Sequence, residues 1–129
     1  MDNFEGSSGK NEFIENMKKR TKLYVIRSTK LFQSLPKTDE ARIFGKQFLR
    51  SASSVAANYR AVCRAKSRAE FFAKLSITVE EADESLFWLE ILVETDIMQE
   101  SRLKDLMQEA EEILKILSKA RKNSCFKFN

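Results

Sequence analysis

The chain has 129 residues, 43% of them apolar and 33% charged, with a net charge of +4, three Gly, one Pro and no His. That is enough for one compact domain with a real core and no metal or disulfide staples. It holds too little Gly and Pro for a fold rich in tight turns, so the composition reads as all-α. The absence of His removes the commonest general base at neutral pH, the usual zinc ligand, the Glu-x-x-His pairs of di-iron bundles and any helical-bundle ribonuclease that works through an Arg and a His.

The opening MDNFEGSSGK is small, polar and aperiodic, and is expected to be a disordered leader over 1–10, followed by a helical bundle over 11–123 and a short tail over 124–129. It lacks the basic and apolar segments of a secretory signal. No apolar run approaches the roughly 20 residues that span a bilayer, so the expected compartment is the cytoplasm, with no membrane partner. From Asn11, the residues Ile14, Met17, Thr21, Tyr24, Val25, Ser28, Leu31, Phe32 and Leu35 recur at spacings of three and four, which predicts a first helix ending at Pro36. Thr38 can cap a second, with Asp39 and Glu40 at the positive end of its dipole and a core stripe of Ala41, Phe44, Phe48, Ala52, Val55, Tyr59 and Val62.

Ser67 and Glu70 in SRAE make a capping box for a third helix running to about Thr95, with a heptad-like stripe of Phe72, Leu75, Val79, Ala82, Leu86, Leu89 and Val93. ETDIMQES breaks the pattern. Leu103, Leu106, Met107, Ala110, Ile113, Leu114, Leu117 and Ala120 then define a fourth helix. Helices of about 22 to 28 residues are rods of roughly 33 to 42 Å. Short connections make neighbours antiparallel, so the predicted architecture is an up-down-up-down four-helix bundle. Leu23 and Ile26 on helix one, and Ile77, Phe87, Trp88 and Ile91 on helix three, lie outside the core stripes, and an apolar patch of that kind predicts a homo-oligomer.

Charge is distributed unevenly: residues 1–74 hold 16 Lys and Arg against 7 Asp and Glu, whereas residues 75–129 hold 7 against 12. Ala41 to Ala69 contains no acidic residue but carries Arg42, Lys46, Arg50, Arg60, Arg64, Lys66 and Arg68. On a helical wheel Arg42, Lys46, Arg50, Ser53, Ala57, Arg60 and Arg64 fall within about one third of the circumference, with only small side chains between Arg50 and Arg60. A phosphate backbone fits such a strip, and the planar guanidinium suits phosphate oxygens. These seven basic residues are therefore the candidate nucleic-acid-binding set. The competing reading is internal neutralisation by Glu80, Glu81, Asp83, Glu84, Glu90 and Glu94 of helix three. No base-reading motif is present, so affinity without sequence specificity is expected.

The run SASSVAA reads as close helix packing with Ser hydroxyls bonded one turn back, and Asn58 as a polar group satisfied within the bundle. Cys63 reads as a buried small hydrophobe, and Cys63 and Cys125 show no disulfide pattern. Phe126 and Phe128 could stack on bases or dock on apolar surface. The EEADE carboxylates point around their helix rather than converging, and no P-loop, dinucleotide fingerprint or catalytic triad appears. No enzymatic activity, catalytic residue, metal or cofactor is expected.

The central block RSASSVAANYRAVCRAKSRAEFFAKL, followed by EEADESLFWLEIL, resembles the 23S ribosomal-RNA intervening-sequence proteins, also called four-helix-bundle proteins. The likeness covers about Phe44 to Glu94 and rests on Arg50 and Ser51, on Ala56, Ala57 and Asn58, on the basic turn at Arg60, Arg64 and Ser67, and on Trp88, Leu89 and Glu90. It implies an antiparallel four-helix bundle assembled as a homopentamer. The block is also similar to the accessory protein of diversity-generating retroelements, a basic pentameric bundle that binds nucleic acid and a reverse transcriptase. The expected partners are thus further copies of the chain and RNA or DNA. An acidic protein docked on the basic face is the alternative.

Overall fold

In a computed structural model of the chain the backbone is described for residues 3–128 and the side chains for residues 9–124. Four helices follow one another: α1 (Asn3–Ser34), α2 (Asp39–Val62), α3 (Arg68–Glu94) and α4 (Glu100–Phe128). α1 packs on α2, α2 on α3 and α3 on α4, and α4 returns to α1 through a much sparser contact. No Cα pair within 8 Å joins α1 to α3 or α2 to α4 among the described residues, so the helices occupy the corners of a square in chain order. The fold is the all-α, up-down-up-down bundle that the sequence predicts.

The helix ends follow their capping chemistry. Thr38 is extended and its hydroxyl accepts from the Ala41 N–H at 3.2 Å, and Ser67 does the same for the Glu70 N–H at 3.0 Å. The reciprocal half of the capping box is shifted by one residue, for the Glu70 carboxylate accepts from the Lys66 N–H at 2.8 Å. α3 ends where ETDIMQES begins. Asp96, at φ 61°, turns into the left-handed region, its N–H donates to Val93 O, and the Ile97 N–H reaches back to Leu92 O at 3.0 Å. That is a Schellman motif with Asp where Gly is usual, and the αL backbone makes Asp96 a costlier choice than Gly.

α1 begins at Asn3 and α4 runs on to Phe128, so helix extends into both the expected leader, 1–10, and the expected tail, 124–129. Once a helix is nucleated, each added residue gains a backbone hydrogen bond, which offsets the lower helix propensity of Gly and Ser. The side chains of Phe126 and Phe128 lie outside the described residues.

The four stripes meet in one core. Phe48, Leu75, Leu89, Leu92, Leu103, Ile113 and Leu117 are fully buried, and so are the polar Thr21, Ser28, Ser51, Thr78 and Ser85. One bond crosses the diagonal: the Tyr24 hydroxyl donates to Ser85 Oγ at 2.9 Å, and Ser85 in turn donates to Ala82 O at 2.8 Å. Burial raises the Tyr24 pKa well above the usual phenol value, which keeps it a neutral donor. Gly45 is buried where α1 and α2 converge near their turn. A Cβ there would come within 3.2 Å of Phe32 and closer still to Leu35, so the missing side chain permits the approach.

Candidate nucleic-acid interface

α2 is a helix of 24 residues that carries the basic stripe along one side. Its small-residue run packs as expected. Ser51 and Ala52 are buried, and the hydroxyls of Ser51 and Ser53 donate to Gln47 O and Arg50 O. Asn58 Nδ2 donates to Ser54 O at 2.8 Å, which satisfies it within its own helix.

The stripe divides into two parts. In the first, Arg42 Nη1 meets Asp39 at 3.0 Å, one turn away and in open solvent. Arg50 is drawn across to α3, where its two terminal nitrogens reach Glu81 Oε1 at 3.3 Å and Glu84 Oε2. The Glu84 bond, together with Glu81, holds the Arg50 guanidinium above its usual pKa, and Glu84 is lowered by Arg50 and by the Trp88 Nε1–H, which donates to it at 3.0 Å. Arg50 is therefore held in the framework by carboxylates of the competing set.

The second part differs. Lys46, Arg60, Arg64 and Lys66 are exposed, and none of their side chains has an ion pair or hydrogen bond among the described residues. Arg68, at the start of α3, is exposed too. Arg60 lies on the last turn of α2, and Arg64 and Lys66 lie on the α2–α3 turn, so three of these four cations gather at one end of the bundle, while Lys46 lies near the start of α2.

A sequence pattern describing the 23S rRNA-intervening sequence proteins matches residues 15–119. The chain belongs to that family. The chain is also similar, at 31% identity and a TM-score of 0.78, to a crystal structure from Bacteroides thetaiotaomicron, which is described as a protein of unknown function from the S23 ribosomal protein family. The likeness covers 84% of this chain and 97% of that one. A comparison with curated protein sequences gives no match.

Of the apolar residues expected outside the core, Leu23, Ile26, Ile77 and Phe87 are between 46% and 53% exposed. Trp88 and Ile91 are instead half-buried. Trp88 stacks on Phe44 of α2 at 5.8 Å and takes Phe87 edge-on at 4.9 Å, so it belongs to the α2–α3 seam rather than to an outer patch. Ile43, 59% exposed on α2, adds an apolar side chain that the stripes pass over, because it falls between the polar positions of that helix. Another contact without a local signal is the fork from Arg20 Nε and Nη2 to the two Glu109 oxygens, at 2.7 and 2.9 Å, which joins α1 to α4 across 89 residues of sequence. Cys63 is half-buried rather than buried, and burial raises its thiol pKa. Among the described residues no group of three or more Cys, Asp or Glu converges to hold a metal ion, and no helix is long and apolar enough to cross a membrane.

Proposed function

We propose that the protein is a non-enzymatic, cytoplasmic bundle that binds the phosphate backbone of RNA or DNA through Arg60, Arg64 and Lys66, with Lys46 and Arg68 extending the field. The observation that carries this reading is the exposure of Arg60, Arg64 and Lys66 at the α2–α3 turn, whose side chains have no ion pair or hydrogen bond among the described residues, whereas Arg50 is answered by α3. Exposed Arg and Lys in a cluster attract polyanions, which release counterions on binding, so binding is strong at low salt and indifferent to sequence. Arg42 and Arg50 contribute little, since each already has a carboxylate partner.

Self-association is the second part of the reading. Leu23 and Ile26 lie on α1, and Ile77 and Phe87 lie on α3, at the opposite corner of the square. Two different apolar faces on opposite sides suit head-to-tail contacts that close into a ring, with the pentamer implied by the resemblance as one such closure. A scaffold that uses these faces and docks an acidic protein on the basic end, without nucleic acid, is the rival.

Fluorescence-anisotropy titration of labelled single-stranded RNA, RNA duplex and DNA at several salt concentrations tests the proposal, with oligomeric mass measured by light scattering. Arg60→Glu combined with Arg64→Glu is expected to weaken binding by roughly one to two orders of magnitude at low salt. On single strands it should flatten the log K against log salt slope by about 1.4, the share of two phosphates. Arg50→Ala is expected to leave binding within about twofold. Unchanged affinity in a doubly reversed variant that still assembles would refute the assignment, and absence of binding at low salt would move the reading to the scaffold.

A further inference from the structure

A cavity of about 630 Å³ opens at the same end of the bundle, between the first part of α1, the last part of α4 and the α2–α3 turn. It exists because the α1–α4 seam is sparse. The Arg20–Glu109 fork ties the two helices further along, and beyond it Phe13 of α1 stands 41% exposed, facing a space that Ala120 of α4 is too small to fill. The floor is apolar, with Tyr59, Val62 and Leu75, and the walls include Phe13 and Phe71. Among the described residues the lining includes Lys10, Lys66 and Arg68 and no Asp or Glu, and the Glu70 carboxylate lies beside the mouth, accepting from the Lys66 N–H.

Each part of this lining restricts the occupant. Aromatic and aliphatic walls without a charge inside favour a flat, uncharged, weakly hydrated group, and the volume lies in the range of small-ligand sites. The Lys10 and Lys66 side chains at the mouth favour an occupant that carries its negative charge outside the cavity. A nucleotide within a strand has this division, with a neutral base whose faces stack on aromatic rings and phosphates on either side. In a duplex the bases are stacked inside and cannot enter, so the ligand is an unpaired strand. Arg64 and Lys66 lie on the turn that borders the opening, which puts the backbone contacts beside the cavity mouth.

We propose that the end cavity takes one or two unpaired bases of a single-stranded nucleic acid whose flanking phosphates rest on Arg64 and Lys66. This rests on the nucleic-acid reading given above and names its ligand class. Three probes separate the two: a 12-nucleotide single-stranded RNA, a strand of equal length and charge made of abasic ribose-phosphate, and an RNA duplex. The base-bearing strand is expected to bind about tenfold more tightly than the abasic one, the scale of base stacking on an aromatic side chain. Cys63→Phe, which narrows the cavity between Tyr59 and Phe71, should reduce that preference severalfold and leave the abasic affinity unchanged. A second readout needs no variant: the base-bearing strand should slow alkylation of Cys63 severalfold and the abasic strand should not, with Cys125 followed separately by peptide mapping. Equal, salt-sensitive binding of both strands with no protection of Cys63 would overturn the cavity assignment and leave the backbone reading standing. No binding of either strand at low salt would overturn both.

Discussion

The α2–α3 and α1–α4 seams each join two long antiparallel helices and are held in different ways. α2 buries Ser51, Ala52 and Val55 completely, so its backbone lies close to its neighbours, and Phe44 and Trp88 close the α2–α3 edge by stacking. Along α1–α4 the packing is thin, and the fork between Arg20 and Glu109 spans it. Small side chains let backbones approach and give many weak dispersion contacts, whereas a bidentate ion pair gives one strong contact and leaves space around it. The difference places rigidity on one side of the bundle and an opening on the other.

The comparison can be broken most sharply with volume. Ala52→Leu at the tight side is expected to cost about 1–3 kcal/mol through overpacking, read as a lower urea midpoint. Ala120→Leu, which points the same added volume toward the end cavity, is expected to fall within about 0.5 kcal/mol of the parent protein or to stabilise it. Equal losses would mean that the two seams are packed alike. A smaller difference is expected for the ion pairs. Arg20→Ala should lose about 1–2 kcal/mol because the Glu109 side chain is only 19% exposed and its charge-assisted fork has little packing behind it. Arg50→Ala should lose less than about 1 kcal/mol, being screened by solvent and backed by a packed seam.

The smallest effect concerns pH. Glu84 has its pKa lowered in the folded protein by Arg50 and Trp88, so its contribution is present above the unfolded glutamate value of about 4.3 and fades as pH falls through the lower folded value. Urea midpoints between pH 5 and pH 3 should therefore drop slightly more for the parent than for Glu84→Gln. With the side chain 36% exposed, the difference should stay below about 1 kcal/mol.

Local chemistry announced most of the fold. Thr38 and Ser67 cap because their hydroxyls reach N–H groups three residues on, and the stripes of α1, α2 and α4 pick out the core because one face of each is apolar. α3 was harder to read. It is apolar on several sides, so Thr78, Ser85 and Leu92 are buried beside the expected stripe, and Trp88 turned inward against α2. The basic run was visible as composition, but its division was not, because the fate of Arg50 depends on Glu81 and Glu84 more than thirty residues away in sequence. The end cavity had no sequence signature at all, since it arises from the spacing of α1 and α4 rather than from any residue type.

Trp88 has one more consequence. It is the chain's single tryptophan, stacked on Phe44 and hydrogen-bonded to Glu84, so its emission is an optical probe fixed in the α2–α3 seam. It sits far from the end where Lys10 and Asn123 line the cavity. If the sparse seam separates before the packed one, circular dichroism will report lost helix while tryptophan fluorescence still shows a native spectrum, and the gap between the two curves will measure how independently the halves of the bundle melt.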